Sequence, residues 1–137
     1  MSHILNKSEQ NLKAAGELIL IERYASSVHC SYFSIIQLYL HALLKEIGIT
    51  FEEDSDEEHT LHSNRLSKSK HADAFKIIHE KINDKHLKFQ HYTNFKDLQQ
   101  FRTSSDYFNT EIKKNSAESA QNICKNIKGI LTKSKLI

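Results

Sequence analysis

Residues 25–47 read ASSVHCSYFSIIQLYLHALLKEI, a stretch in which apolar side chains recur every three or four positions. This spacing is typical of an α-helix. The apolar positions on this spacing are Val28, Tyr32, Phe33, Ile35, Ile36, Tyr39, Leu40, Leu43, Leu44 and Ile47. Because they cover a broad part of the helix surface, the helix needs neighbours on most of its sides. The stretch therefore predicts the central helix of a helical bundle.

The central helix is too polar to span a membrane. His29, Gln37, His41, Lys45 and Glu46 interrupt its apolar pattern, whereas a membrane span needs about 20 predominantly apolar residues. The amino-terminal residues MSHILNKSEQ also lack the charged segment followed by an apolar segment that marks an export signal. We therefore expect a cytoplasmic protein that does not bind a membrane.

The composition of the whole chain favours helices. Its 137 residues contain no proline and only three glycines, so the usual turn residues of a β-rich fold are missing. The length suits one domain with a single core. Cys30 and Cys124 fall within apolar helical patterns, where we expect reduced and packed thiols. The sequence predicts an all-α protein with one domain, residues 1–137.

Helical spacing predicts four helices besides the central one, which gives a bundle of about five. They cover about residues 8–20, 71–83, 93–108 and 115–131. The predicted amino-terminal caps are Ser8 for the first of these helices, Thr93 or Asn94 for the third, and Asn115 or Ser116 for the last. Gly48 is expected to end the central helix. Residues 49–69, which include the acidic run 52–58, predict a long loop.

No motif in the chain predicts a metal ion or a cofactor. His59 and His62 lie near Glu57 and Glu58, but two histidines without further ligands are a poor signal for zinc. The acidic run lacks the glycine and the terminal glutamate of a calcium-binding loop. The net charge of +2 is too small to predict nucleic-acid binding by itself.

One segment combines side chains that can bind and transform a phosphate ester. It reads FRTSSDYFNTEI, residues 101–112. On a helix, Arg102 and Asp106 lie one turn apart on the same face, with Tyr107 adjacent, so a cation, a carboxylate and a phenol share one patch. An ordinary ion pair on the helix surface has the same pattern. The spacing alone leaves both interpretations open.

Three sequence features follow one another along residues 8–132. The first is the central helix, with Tyr32-Phe33 and then Ala42-Leu43-Leu44 before Gly48; the second is the histidine-containing segment 59–64; the third is Arg102-x-x-x-Asp106-Tyr107, followed by a polar linker and a last helix that ends with Ile127 to Leu131. In this order they resemble the HEPN domain, a small helical module named for its occurrence in higher eukaryotes and prokaryotes. The resemblance implies a helical bundle that forms a homodimer.

The resemblance also implies an activity. Active members of the family carry an arginine, four to six other residues and then a histidine, and they cleave RNA without a metal ion in a cleft between two protomers. Arginine can hold the scissile phosphate, and histidine can move the proton of the ribose 2′-hydroxyl. In this chain no histidine follows Arg102 within six residues, and Asp106 stands near its place. We therefore treat Arg102 and Asp106 as candidate catalytic residues and leave the ribonuclease activity open.

Other histidines offer alternatives. Arg65 and His71 match the family spacing, but they lie before the third helix rather than near the last one. His29 and His41 lie on the central helix and could face a cleft. The sequence alone cannot rank these histidines.

The resemblance implies a partner as well. Compact HEPN proteins often pair with a minimal nucleotidyltransferase, which in some pairs adenylylates a tyrosine beside the signature. By its position next to Asp106, Tyr107 is the candidate for that regulatory modification. An alternative is that its ring packs between the last two helices.

Three interpretations of function remain open at this point. The first is a HEPN effector of a toxin–antitoxin or defence system that acts on RNA. The second is a HEPN module without catalysis, which serves as the partner of a nucleotidyltransferase or as a nucleotide-binding scaffold. The third is a structural homodimer without a ligand.

Overall fold

The computed structural model describes residues 2–47 and 70–137, which form five α-helices. The helices are α1 (His3–Leu20), α2 (Tyr24–Ile47), α3 (Lys70–Glu80), α4 (Lys85–Tyr107) and α5 (Lys114–Lys133). The predictions for Gly48, for the loop 49–69 with its acidic run, for His59 and His62, and for Arg65 lie outside the described residues. Within these residues, no helix is both long and apolar enough to cross a membrane.

Helix α2 lies at the centre of the bundle and contacts each of the other four helices. Its apolar positions supply much of the core, because Val28, Tyr32, Tyr39 and Leu43 are almost completely buried. The surrounding helices complete the core with residues such as Ile78 of α3, Phe95 and Leu98 of α4, and Ile127 of α5. The prediction of an all-α bundle of about five helices, built around residues 25–47, is confirmed for the described part of the chain.

Buried serines join α1 to α2. The hydroxyl of Ser8 donates to the carbonyl of Ser34 at 2.6 Å, and the hydroxyl of Ser34 donates to the carbonyl of Ser8 at 2.9 Å. The predicted cap at Ser8 is therefore wrong, because this residue lies inside α1. The cap is Ser2, whose hydroxyl accepts from the backbone N–H of Leu5 at 3.1 Å. Because serine side chains are small, the backbones of α1 and α2 can approach closely while each hydroxyl stays hydrogen bonded to the other helix.

The start of α4 also differs from the prediction. The helix begins after Asp84, whose carboxylate accepts from the backbone N–H of Leu87 at 2.9 Å. Thr93 and Asn94 lie inside the helix, and their side chains donate to carbonyls one turn earlier. They resemble caps in the sequence because a short polar side chain can hydrogen-bond either to a free backbone N–H at the start of a helix or to a carbonyl of the preceding turn. The continuous α4 carries Arg102 near its carboxyl end.

Helix α5 starts one or two residues before the predicted caps Asn115 and Ser116. Its amino-terminal cap is Lys113, which makes no side-chain capping bond. The apolar stripe of α5 nevertheless faces the core as its spacing predicts, since Ala120, Cys124 and Ile127 are buried. Burial of this stripe therefore stabilises α5 without a side-chain cap.

Two histidines and a tyrosine form a polar chain inside the bundle. The side chain of His91 is fully buried. Its Nε2 lies 2.6 Å from the hydroxyl of Tyr39, and its Nδ1 lies 3.1 Å from Nδ1 of His79. Burial, with a smaller contribution from the nearby His79, lowers the pKa of His91 to about 3. The imidazole is therefore neutral at physiological pH.

Candidate functional site

The side chain of Arg102 lies against three aromatic rings at the carboxyl end of α4. Its Cζ lies 5.0 Å from the ring centre of Tyr32, 5.8 Å from that of Phe33 and 5.2 Å from that of Tyr107. Tyr32 and Phe33 belong to α2, so the guanidinium lies where α2 and α4 meet. These distances permit cation–π attraction, which fixes the orientation of the guanidinium. One fifth of the side chain remains exposed to solvent.

Asp106 is the carboxylate partner of Arg102. Its Oδ2 lies 3.0 Å from Nε of Arg102, which is the ion pair one turn apart that the sequence predicts. The N–H of Nε does not point at that oxygen, however, so among the described residues this buried donor has no aligned hydrogen-bond acceptor. Nη2 donates to the hydroxyl of Tyr107 over 3.4 Å, which is long for a hydrogen bond. Because Nε is shielded from solvent, an anion can reach the guanidinium only through its terminal nitrogens.

A third polar group reaches Asp106 from α2. Nδ1 of His29 lies 3.2 Å from Oδ1 and 3.1 Å from Oδ2 of the carboxylate. The imidazole also packs on the ring of Phe33, with 4.6 Å between the ring centres. About half of the His29 side chain is exposed. Asp106 therefore lies between a guanidinium and an imidazole that come from two different helices.

Tyr32 connects this site to α3. Its hydroxyl lies 2.9 Å from Nδ1 of His71. Burial raises the pKa of Tyr32 to about 12, and the charge of Arg102 opposes this shift only in part. Tyr32 therefore keeps its proton at physiological pH and forms one wall of the site rather than acting as a base.

We call the cluster of Arg102, Asp106, His29, Phe33 and Tyr107, with Tyr32 as its buried wall, the arginine site. The structure brings Arg102, Asp106 and Tyr107 together, as their spacing on one helix predicts. Tyr107 does not pack between the last two helices, because 68% of its surface is exposed.

Of the other histidines that the sequence offers as candidates, His71 lies beside the arginine site and His41 does not. His71 contacts Tyr32, the wall of the arginine site, whereas its predicted partner Arg65 lies outside the described residues. His41 pairs with Ser2, since its Nδ1 lies 2.7 Å from the serine hydroxyl. His29 is the histidine that contacts Asp106 directly. The two residues lie 77 positions apart in the sequence, so no local motif reveals the contact.

A metal centre is not evident in the part of the chain that the structure describes. No group of three or more histidine, cysteine or acidic side chains there is arranged to hold a metal ion. Cys124 is buried and donates to the carbonyl of Ser31 at 3.1 Å, and burial raises its pKa to about 12. This thiol therefore packs as part of the core.

Comparison with known proteins identifies the family. The profile of the HEPN domain matches residues 1–135, which is nearly the whole chain. No match was found among curated proteins or among solved structures. The match agrees with the five-helix bundle. The chain belongs to the HEPN domain family.

Proposed function

We propose that this HEPN protein is an effector of a toxin–antitoxin or defence system, and that it cleaves RNA without a metal ion. In this proposal Arg102 binds the scissile phosphate. The observation that carries it is the setting of the guanidinium, which three rings and a carboxylate orient while one fifth of the side chain stays exposed to solvent. A phosphate can accept two parallel N–H bonds from such a group.

The aromatic side chains beside Arg102 suit RNA better than a free phosphate. Phe33 is partly exposed, and Tyr107 and Phe108 expose 68% and 59% of their surfaces. Unpaired bases stack on exposed aromatic rings, and stacking tolerates different base identities. A single-stranded RNA could therefore place a phosphate on Arg102 and adjacent bases on these rings.

A homodimer completes the proposal. Two copies that meet through the carboxyl ends of α4 would cover the exposed Tyr107 and Phe108 and bring two copies of Arg102 to one groove. Such a groove would present two guanidinium groups to the phosphates of one strand. Sedimentation that detects only monomers at all concentrations would remove this part of the proposal.

The proposal predicts chelator-resistant cleavage of RNA by the purified protein. A single-stranded RNA should be cut in the presence of EDTA, and the products should carry 2′,3′-cyclic phosphate and 5′-hydroxyl ends, because the ribose 2′-hydroxyl attacks the phosphorus in place of a metal-bound water. The matched DNA oligonucleotide should remain intact, since it lacks the 2′-hydroxyl. RNA that stays intact, or cleavage that EDTA abolishes, would contradict the proposed reaction.

Tyr107 favours a second candidate function, in which the protein is a HEPN module controlled by a nucleotidyltransferase. Its ring is exposed and its hydroxyl lies 3.4 Å from Nη2 of Arg102. A nucleotide attached to this hydroxyl would place a bulky negative charge beside the guanidinium and would block the site.

Co-expression with a nucleotidyltransferase encoded by an adjacent gene should add one nucleotide mass at Tyr107. Tyr92, which is also exposed on α4, serves as the control tyrosine, and modification there instead would contradict the assignment.

A further inference from the structure

The family signature places its histidine after the arginine on one helix, and this chain has none there. We propose that His29, on α2, is the general base of RNA cleavage and that Asp106 is its positioning residue. The inference rests on the proposed ribonuclease function and adds the residue that takes the proton. It assigns Asp106 to orienting the imidazole and the guanidinium rather than to proton transfer.

The contact with Asp106 sets the tautomer of His29. Both carboxylate oxygens lie within 3.2 Å of Nδ1, so a proton on Nδ1 is donated to the carboxylate. In the neutral imidazole Nε2 then carries a lone pair. This is the arrangement in which a carboxylate orients a histidine base in hydrolytic triads. The carboxylate also stabilises the imidazolium that forms after proton transfer.

The same carboxylate holds the phosphate-binding group. Asp106 contacts Nδ1 of His29 at 3.1 Å and Nε of Arg102 at 3.0 Å through one oxygen, Oδ2. Phe33 is shared as well, because it packs on the imidazole and lies within 5.8 Å of Cζ of Arg102. The proton acceptor and the phosphate binder are therefore adjacent to each other.

The exposure of His29 fits a role in catalysis. About half of the side chain is open to solvent although two partners hold the ring. A base that acts on RNA must combine a fixed orientation with access to the strand. His91 lacks that access because it is fully buried, and the ring of His41 is engaged with Ser2 instead.

The proposed step balances without a metal ion or another reactant. Nε2 of His29 takes the proton of the ribose 2′-hydroxyl, and the 2′-oxygen forms a bond to phosphorus. The bond between phosphorus and the 5′-oxygen of the next nucleotide breaks. That oxygen takes a proton from the imidazolium, directly or through water, so His29 returns to its neutral form. The products are a 2′,3′-cyclic phosphate and a 5′-hydroxyl.

The test compares His29→Ala with His41→Ala, which removes a histidine from the same helix outside the arginine site. His29→Ala should lower kcat by roughly 100-fold or more, which is the usual contribution of a general base. Its KM should change little, because Arg102 still binds the phosphate. Free imidazole should restore part of the rate in His29→Ala, whereas His41→Ala should cleave like the wild type.

A double-mutant cycle tests the positioning role of Asp106. If Asp106 acts through His29, Asp106→Asn should lower kcat by a clearly smaller factor in the His29→Ala background, where only its contact with Arg102 remains to be lost, than in the wild type. If the free-energy loss in the double variant equals the sum of the losses in the two single variants, the coupling is overturned. Circular dichroism of each variant shows whether the bundle is intact. The cleavage rate of Arg102→Ala in the presence of free imidazole gives the background that imidazole causes without the arginine.

The outcomes separate this inference from the proposed function. If His29→Ala cleaves at the wild-type rate, or if imidazole accelerates the variant no more than the wild type, the role of His29 is overturned. The proposed function still stands in that case, provided that Arg102→Ala is inactive. If the wild type does not cleave RNA, the proposed function and the role of His29 both fall.

Discussion

Arg102→Ala is expected to lower the rate of RNA cleavage by roughly 100- to 1,000-fold, the usual loss when one donor to a developing oxyanion is removed. The reason is that Arg102 holds the group on which negative charge builds up. Arg102→Lys should recover only part of the rate, because an ammonium keeps the charge but not the planar pair of donors. Initial rates with EDTA present measure both effects.

The matched control for this prediction is Arg23→Ala. Arg23 is exposed in the turn between α1 and α2, so its loss changes the net charge equally without touching the arginine site. Thermal unfolding should show that Arg102→Ala still folds, since a partly exposed ion pair contributes about 1 kcal/mol or less. Equal losses of cleavage in the two variants would mean that general electrostatic attraction, and not Arg102, supports the reaction.

Acidification from about pH 7.5 to pH 5 is expected to reduce the free energy of unfolding by about 2 kcal/mol through His91 alone. In the folded protein the pKa of His91 is lowered from 6.5 to about 3, chiefly by burial. The unfolded chain therefore binds a proton that the folded protein does not bind. Stability falls as the pH drops below about 6.5 and continues to fall until about pH 3.

Urea denaturation at the two pH values measures this effect. Burial also lowers the pKa of His79 and of His41, so these histidines add to the loss in the same direction. His91→Gln should lose less stability on acidification than the wild type, whatever its own stability at neutral pH. His86→Gln, which changes an exposed histidine of the same helix, is the control. If the wild-type protein is equally stable at both pH values, His91 is not held buried and neutral as we propose.

The fold was largely predictable because the apolar pattern of residues 25–47 is strong enough to identify the helix that contacts all the others. Caps were less predictable. Ser8 and Thr93 have the side chains of caps, but each lies inside a helix and bonds to a backbone carbonyl. A short polar side chain can either cap a helix or bond to a carbonyl inside it, and the local sequence does not show which of the two bonds forms.

The candidate site was predictable only where it lies on one helix. Arg102, Asp106 and Tyr107 converge because a turn of helix separates the first two, and sequence spacing reports that directly. The contact of His29 with Asp106 depends on how α2 packs against α4, which no local pattern contains. The polar chain from Tyr39 through His91 to His79 was missed for the same reason, since three helices contribute to it.

The central claim is that RNA binds at the arginine site. It is tested most directly by nuclear magnetic resonance, in which the labelled protein is titrated with a 2′-O-methyl RNA oligonucleotide that cannot be cleaved. The largest shifts are expected at Arg102, Asp106, His29 and Tyr107. Shifts confined to the exposed lysines of α5, with no change at the arginine site, would contradict the account.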